Sequence, residues 1–209
     1  CYEDKITDEL IKVMAEEPKI CKYIDIPIQH SSDKILKSMR RRSTKQTISD
    51  TVRRLKERIP DIHIRTTLIV GFPGEEDEDF WELLDFVNKT EFHRLGVFAY
   101  SMEEDTEAYQ MKNQVPEDIK IQRLNKIMEA QLRISNHLNR KKIGKTYEVL
   151  VEANEGNKSY IGRTMYDAPE IDNGVIFKSN KNLKPGDMVK VYINDAFDYD
   201  LAGEEVEEI

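Results

Sequence analysis

A chain of 209 residues, 39% apolar and 34% charged, holds enough apolar material for one large or two small packed domains. It contains no run of about 18 apolar residues that would cross a membrane as a helix. Two cysteines, Cys1 and Cys21, exclude a disulfide framework and are too few by themselves for a zinc or iron–sulfur site, which points to a reducing, cytoplasmic setting. The net charge of −8 is uneven, because residues 144–209 carry fourteen acids against seven bases. An acidic segment of that kind suits a basic protein partner better than a phosphate backbone.

The opening Cys-Tyr-Glu-Asp-Lys has neither an initiator Met nor a signal peptide, and is read as an interior point of a longer protein. Thr7 followed by Asp8 and Glu9 starts a helix whose apolar stripe is Leu10, Ile11 and Met14. Tyr23–Gln29 reads as a strand, and Ser32 opens a short helix with Ile35, Leu36 and Met39. Ser43 with Gln46 predicts a capping box for a helix bearing Ile48, Val52, Leu55 and Ile59, stopped by Pro60-Asp61. His63–Val70 reads as a second strand, Gly71–Gly74 as the loop after it, and Glu75–Asp79 as a solvated acidic helix start. That helix packs through Phe80, Leu83, Leu84, Phe86 and Val87, and Leu95–Tyr100 reads as a third strand.

Strands separated by helices imply right-handed βαβ units and a parallel sheet. Three strands bury their faces poorly, so upstream strands are expected to complete the fold. Pro116 is placed at the first position of a long helix with Ile119, Leu124, Ile127, Leu132 and Leu138, ending near Gly144. Short β runs follow at Tyr147–Val151, Tyr160–Thr164, Val175–Lys178, Met188–Ile193 and Asp200–Ala202, separated by Asn154-Glu-Gly156, Asp172-Asn-Gly174 and Pro185-Gly186. They predict a small closed barrel of the oligonucleotide-binding type. The expected organisation is an α/β half-barrel over 1–112, a linker helix over 113–143 and a β-barrel over 144–209.

Ligands gather at the C-terminal ends of parallel strands. Gln29 ends the first strand, where its amide either points into the barrel mouth or caps the following helix. Arg40, Arg41 and Arg42 close that next helix, where cations complement its dipole; one guanidinium reaching a ligand carboxylate is the functional alternative. Gly71 and Gly74 either let the backbone approach a flat ligand or shape the turn around Pro73. Thr67 is ordinary in a strand, and Asp25 sits inside an apolar one. His30, His63, His93 and His137 lack metal-ligand spacing and read as structural or surface residues. Spacing alone yields a ligand-shaped rim without a catalytic constellation.

Five stretches in order carry a resemblance: Ile26–Leu36, Met39–Arg42, Ile69–Glu75, Phe98–Ser101 and Gln114–Glu117. With them the chain resembles the radical-SAM methylthiotransferases along essentially its whole length. Its last part, with Gly162-Arg-Thr164 and Ala168-Pro-Glu170, resembles their TRAM module. The resemblance implies the C-terminal portion of such an enzyme: strands four to six of a TIM-like partial barrel, then an OB-like TRAM barrel. It further implies S-adenosylmethionine and two 4Fe–4S clusters, with the Cys-x3-Cys-x2-Cys loop and the second cluster's ligands upstream of Cys1. The cluster cleaves S-adenosylmethionine to a 5′-deoxyadenosyl radical, which takes hydrogen from an unactivated carbon that then gains a methylthio group.

Carried over by position, Gln29 and Arg41 match S-adenosylmethionine-contacting residues, Arg41 on the amino-acid part. Thr67 matches a fifth-strand position that is Asp in many relatives, and Ser101 a sixth-strand backbone contact near the adenosyl group. Glu104-Asp105-Thr106 departs from the more usual Glu-Gly-Thr, and Thr67 cannot supply the relatives' carboxylate. The members most alike modify an aspartate of a small-subunit ribosomal protein. A tRNA methylthiotransferase acting on a modified adenosine is the alternative, and Thr67, Gln-His-Ser-Ser in place of Gln-Ser-Gly-Ser, and the acidic tail weigh against it. Lys178, Lys181, Lys184 and Lys190 forming a local basic face would reverse the last argument. By itself, without cluster ligands, the chain is expected to be a non-catalytic binding module.

Overall fold

The computed structural model describes residues 2–207; Cys1, and Glu208 among the tail acids, lie outside the described residues. The chain forms two compact units that divide after Gln131. The first unit runs through a 3-10 turn (Glu3–Lys5), α1 (Asp8–Glu16), β1 (Tyr23–Asp25), α2 (Asp33–Ser38), α3 (Lys45–Arg58), β2 (His63–Val70), α4 (Asp77–Thr90), β3 (Arg94–Ala99) and α5 (Glu107–Gln110). The dividing point falls inside α6 (Glu117–Arg140). No helix among the described residues is long and apolar enough to cross a membrane.

The three strands form a parallel sheet in sequence order, β1-β2-β3, with β2 central. Right-handed crossovers then put α2, α3 and α4 on one face. Side chains alternate along a strand, and here the alternation separates two chemistries. Towards the helices point Ile24, Ile26 and Ile28, then Ile64, Thr66, Leu68 and Val70, then Leu95 and Val97, all buried. Buried with them are Ile35, Leu36, Ile48, Val52, Leu55, Phe80, Leu83 and Val87 of the helices. The opposite face carries Asp25, Gln29, Arg65, Thr67, Ile69, Gly96 and Phe98, which are only partly covered; Phe98 is 61% exposed.

The strand predicted over Tyr23–Gln29 is regular only to Asp25. Pro27 has no N–H for the ladder, and Gln29 adopts φ +70°. The segment still follows β2, with Ile26 N–H donating to Arg65 O and Gln29 N–H to Thr67 O, both at 2.9 Å. Helix α3 is capped by Thr44 and not by Ser43: Thr44 and Thr47 form the reciprocal box, while Ser43 is buried. Pro116 stands one residue before α6, where its carbonyl accepts the Lys120 N–H at 3.1 Å. The acidic start of α4 is not uniformly solvated, because Glu75 and Asp79 are buried and only Glu76, Asp77 and Glu78 face water.

The second unit is a closed five-stranded barrel of β4 (Thr146–Gly156), β5 (Ser159–Arg163), β6 (Val175–Lys178), β7 (Met188–Ala196) and β8 (Leu201–Glu205) in the order β4-β5-β6-β8-β7. β6 pairs parallel with β8 and β7 closes onto β4, the OB-like arrangement predicted. Inward positions Val149, Val151, Tyr160, Val175, Phe177, Val191, Ile193 and Leu201 fill it. β4 and β5 meet through Asn157-Lys158, both at positive φ, as a type I′ hairpin turn requires. Gly162 and Gly203 are obligatory, since a Cβ on them would lie 2.4 Å from Leu150 O and 2.3 Å from Tyr192 O.

Candidate functional site

The open face of the sheet and its C-terminal rim bring three of the four sequence-predicted residues together. Gln29 is tied to β2 on both sides, its N–H donating to Thr67 O and its carbonyl accepting from Ile69 N–H at 2.8 Å. Its side-chain Oε1 is buried without a hydrogen-bond partner, so the amide does not cap the following helix. Thr67 lies on the same face, in register with Gly96 of β3, whose missing side chain leaves room over it.

Arg41 reaches the rim through the way α2 ends. Arg40 takes φ +57°, Arg40 N–H donates to Lys37 O and Arg41 N–H to Leu36 O, the paired bonds of a Schellman turn with arginine at the position glycine usually takes. The reversed chain lets Arg41 Nη2 donate to Pro27 O at 3.2 Å, two residues before Gln29, with its guanidinium over the Tyr2 ring. Its Nη1 is buried and without a hydrogen-bond partner. Arg40 pairs with Glu107 on the surface. Ser101 follows β3 and is exposed, its hydroxyl donating to Glu103 at 3.0 Å. No hydrogen bond joins it to the other three.

Sequence reasoning missed the group that shapes this rim. Glu75, fully buried at its side chain, accepts from Gly71 N–H at 2.6 Å and Phe72 N–H at 3.3 Å through Oε2. Its Oε1 accepts from Arg123 Nη1 at 2.9 Å, and Arg123 Nη2 reaches Asp77 at 2.7 Å. His30 Nε2, equally buried, lies 3.6 Å from Glu75 Oε2. Gly71 has φ +72°, and a Cβ there would lie 2.3 Å from Lys120 Cγ, so the loop and α6 are in direct contact. A glutamate closing a loop with two unbonded N–H groups was the available signal; its partner Arg123 lies 48 residues away.

Asp79 fastens α2 to α4 beside the loop, accepting from Ser32 Oγ at 2.6 Å, Lys34 Nζ at 2.9 Å and Glu76 N–H at 3.0 Å. Burial pushes its carboxyl up, but the bonds from Ser32, the Glu76 N–H and Lys34 outweigh this and hold it below the usual carboxylate range. Among the described residues no group of three or more His, Cys, Asp or Glu side chains stands ready to hold a metal ion.

Residues 3–87 match the family model of the radical SAM superfamily, and residues 143–206 that of the TRAM domain. Across its whole length the chain is 50% identical, over 208 residues, to "Ribosomal protein uS12 methylthiotransferase RimO" of Clostridioides difficile (strain 630), covering 47% of that protein. The chain is similar along its whole length to radical-SAM methylthiotransferases. Proteins of the same name from Desulforamulus reducens (50% identical over 206 residues, 98% of this chain and 46% of theirs) and Geobacter sulfurreducens (50% over 205 residues, 97% and 46%) agree. The chain thus spans about half the length of these family members. Among solved structures, coproporphyrinogen III oxidase (HemN) of Escherichia coli, a radical SAM enzyme, superposes with a TM-score of 0.52 over 78% of this chain and 43% of its own. At 14% identity that likeness speaks for the radical SAM fold alone.

Proposed function

We propose that this chain serves a methylthiotransferase that uses radical SAM chemistry to add a methylthio group to an aspartate of ribosomal protein uS12 in the cytoplasm. The observation that carries the reading is the 50% identity, without an uncovered stretch of this chain, to a protein of that activity by name. S-adenosylmethionine fits the open rim, because Gln29 Oε1 and Arg41 Nη1 are a buried acceptor and a buried donor without partners, and a buried polar atom left unsatisfied is costly. Arg41 would hold the carboxylate of its amino-acid part, Gln29 a donor beside it, and Thr67 the space above Gly96. Ser101 would offer backbone groups near the adenosyl part. When bound, this group supplies a hydrogen-abstracting radical with an iron–sulfur cluster as the reductant. The ligands of that cluster, and of a second 4Fe–4S cluster, are assigned to sequence outside this chain.

The basic ribosomal protein is favoured over tRNA by the barrel surface. Lys181 pairs with Glu205, and Arg163 with Glu152. Lys190 stands opposite Glu148 and Lys178 opposite Glu204. Lys178, Lys181 and Lys190 are therefore interleaved with acids, which speaks against a basic stripe of the kind RNA readers use.

Mass spectrometry of uS12 and of tRNA from a strain lacking the gene tests the reading. Loss of the methylthio group from uS12, restored by the complete gene, is expected; loss from tRNA with uS12 unchanged would overturn the substrate. Expressed alone, this chain is expected to yield no 5′-deoxyadenosine after iron–sulfur reconstitution.

A further inference from the structure

Gln29 is held in an unusual backbone conformation. Its φ is +70°, and the His30 N–H donates across it to Ile28 O at 2.9 Å. That bond encloses three residues and defines a γ-turn in its positive-φ form, which is rare and strained for a residue with a side chain. Such strain persists only where surrounding structure over-determines it. Two restraints come from β2, which takes the Gln29 N–H and carbonyl. They fix the register but leave the chain after Gln29 open.

His30 closes it. Its side chain is fully buried, and Nδ1 accepts the Ser32 N–H at 2.9 Å, which puts the ring proton on Nε2. That nitrogen faces Glu75 Oε2 at 3.6 Å, the oxygen that also gathers the Gly71 and Phe72 N–H groups. Ser32 is anchored beyond it by its bond to Asp79. The ring thus holds the chain after Gln29 through the Ser32 N–H alone, its Nε2 lying beside the loop after β2 without a hydrogen bond, and it has no atom of its own on the open face.

We propose that His30 is a positioning residue, whose ring locks the γ-turn and so presents the Gln29 amide to S-adenosylmethionine; this rests on the functional reading above. The acceptor at Nδ1 is the essential part. Asparagine places an oxygen where Nδ1 lies and keeps the bond to Ser32, whereas glutamine places its amide nearer Nε2 and loses that bond.

The test uses the full-length, cluster-bearing protein and reads S-adenosylmethionine affinity by equilibrium dialysis beside a thermal melt. His30→Gln is expected to weaken affinity about tenfold, the value of one lost buried hydrogen bond, and His30→Asn less than about twofold. In a Gln29→Gly background, where positive φ carries no strain, His30→Gln should cause no further loss, since the two residues act as one. A crystal structure of His30→Gln should show residue 29 out of the positive-φ region. Equal affinities for the Asn and Gln variants, or a full effect of His30→Gln persisting in the glycine background, would overturn the inference. A wild-type protein that binds no S-adenosylmethionine would instead overturn the functional reading, and this inference with it.

Discussion

Replacing Arg123 by methionine removes the cation that faces Glu75 while keeping most of the apolar stem. Both partners are nearly inaccessible, 7% and 0% exposed at their side chains. Breaking a buried pair by deleting one member costs about 3–5 kcal/mol, because the other charge stays behind unmatched. The lower end applies here, since Glu75 keeps the Gly71 and Phe72 N–H groups on its other oxygen; the expected loss is about 3 kcal/mol. The second bond of Arg123 adds little, because Asp77 is 78% exposed. With a urea slope of about 2 kcal/mol/M for a unit of this size, the unfolding midpoint should fall by roughly 1.5 M. Adding Glu75→Gln to Arg123→Met should recover part of the loss, because the uncompensated charge goes while an acceptor for the loop remains. Asp77→Asn, the exposed control, should cost under about 0.5 kcal/mol. A midpoint unmoved by Arg123→Met, or a double variant worse than the single, would refute the buried-charge account of the loop.

Thr44→Ala should cost about 1 kcal/mol by removing the α3 cap, whereas Ser43→Ala should leave the cap intact; equal losses in urea unfolding would contradict the observed box. Gly203→Ala should destabilise the barrel by about 3 kcal/mol or more, since its Cβ would overlap Tyr192 O, and a thermal melt within 1 °C of wild type would refute that packing. Asp79 has a folded pKa below the ordinary carboxyl value. Its contribution is therefore complete above about pH 4 and is lost as the pH falls further. Asp79→Asn should flatten the acid limb of the stability profile, and an unchanged limb would show that the bonds from Ser32 and Lys34 do not act on the charge.

The fold was legible wherever a local pattern sufficed. The apolar set Ile64, Leu68 and Val70 marks β2, and Pro185-Gly186 separates two barrel strands, whereas Asn154–Gly156, expected as a turn, ends β4 and the turn itself is Asn157-Lys158. Errors arose where tertiary contacts chose between local equals. Ser43 and Thr44 are adjacent cap candidates of the same chemistry, and burial of Ser43 decides between them. The acids after Gly74 look solvated from spacing alone, and only a partner on α6 shows that Glu75 is not. The end of β1 at Asp25 could have been foreseen from Pro27, but a left-handed glutamine could not.

The candidate site was legible through a contradiction within one strand pattern. Parallel strands are usually apolar on both faces, because both are covered. Here isoleucine fills every even position from Ile24 to Ile28, while the odd positions carry Asp25, Pro27 and Gln29. β2 repeats this with Arg65 and Thr67 on the side away from the helices, and β3 adds Gly96. A sheet covered by helices on one face and polar on the other, with its crossovers all on the first side, must line either solvent or a cavity. Gln29 and Arg41 end that polar face with buried atoms that have no hydrogen-bond partner, the two groups assigned above to the proposed ligand. That second face is where the proposed S-adenosylmethionine site would lie, and the positive-φ turn at Gln29 stands at its rim.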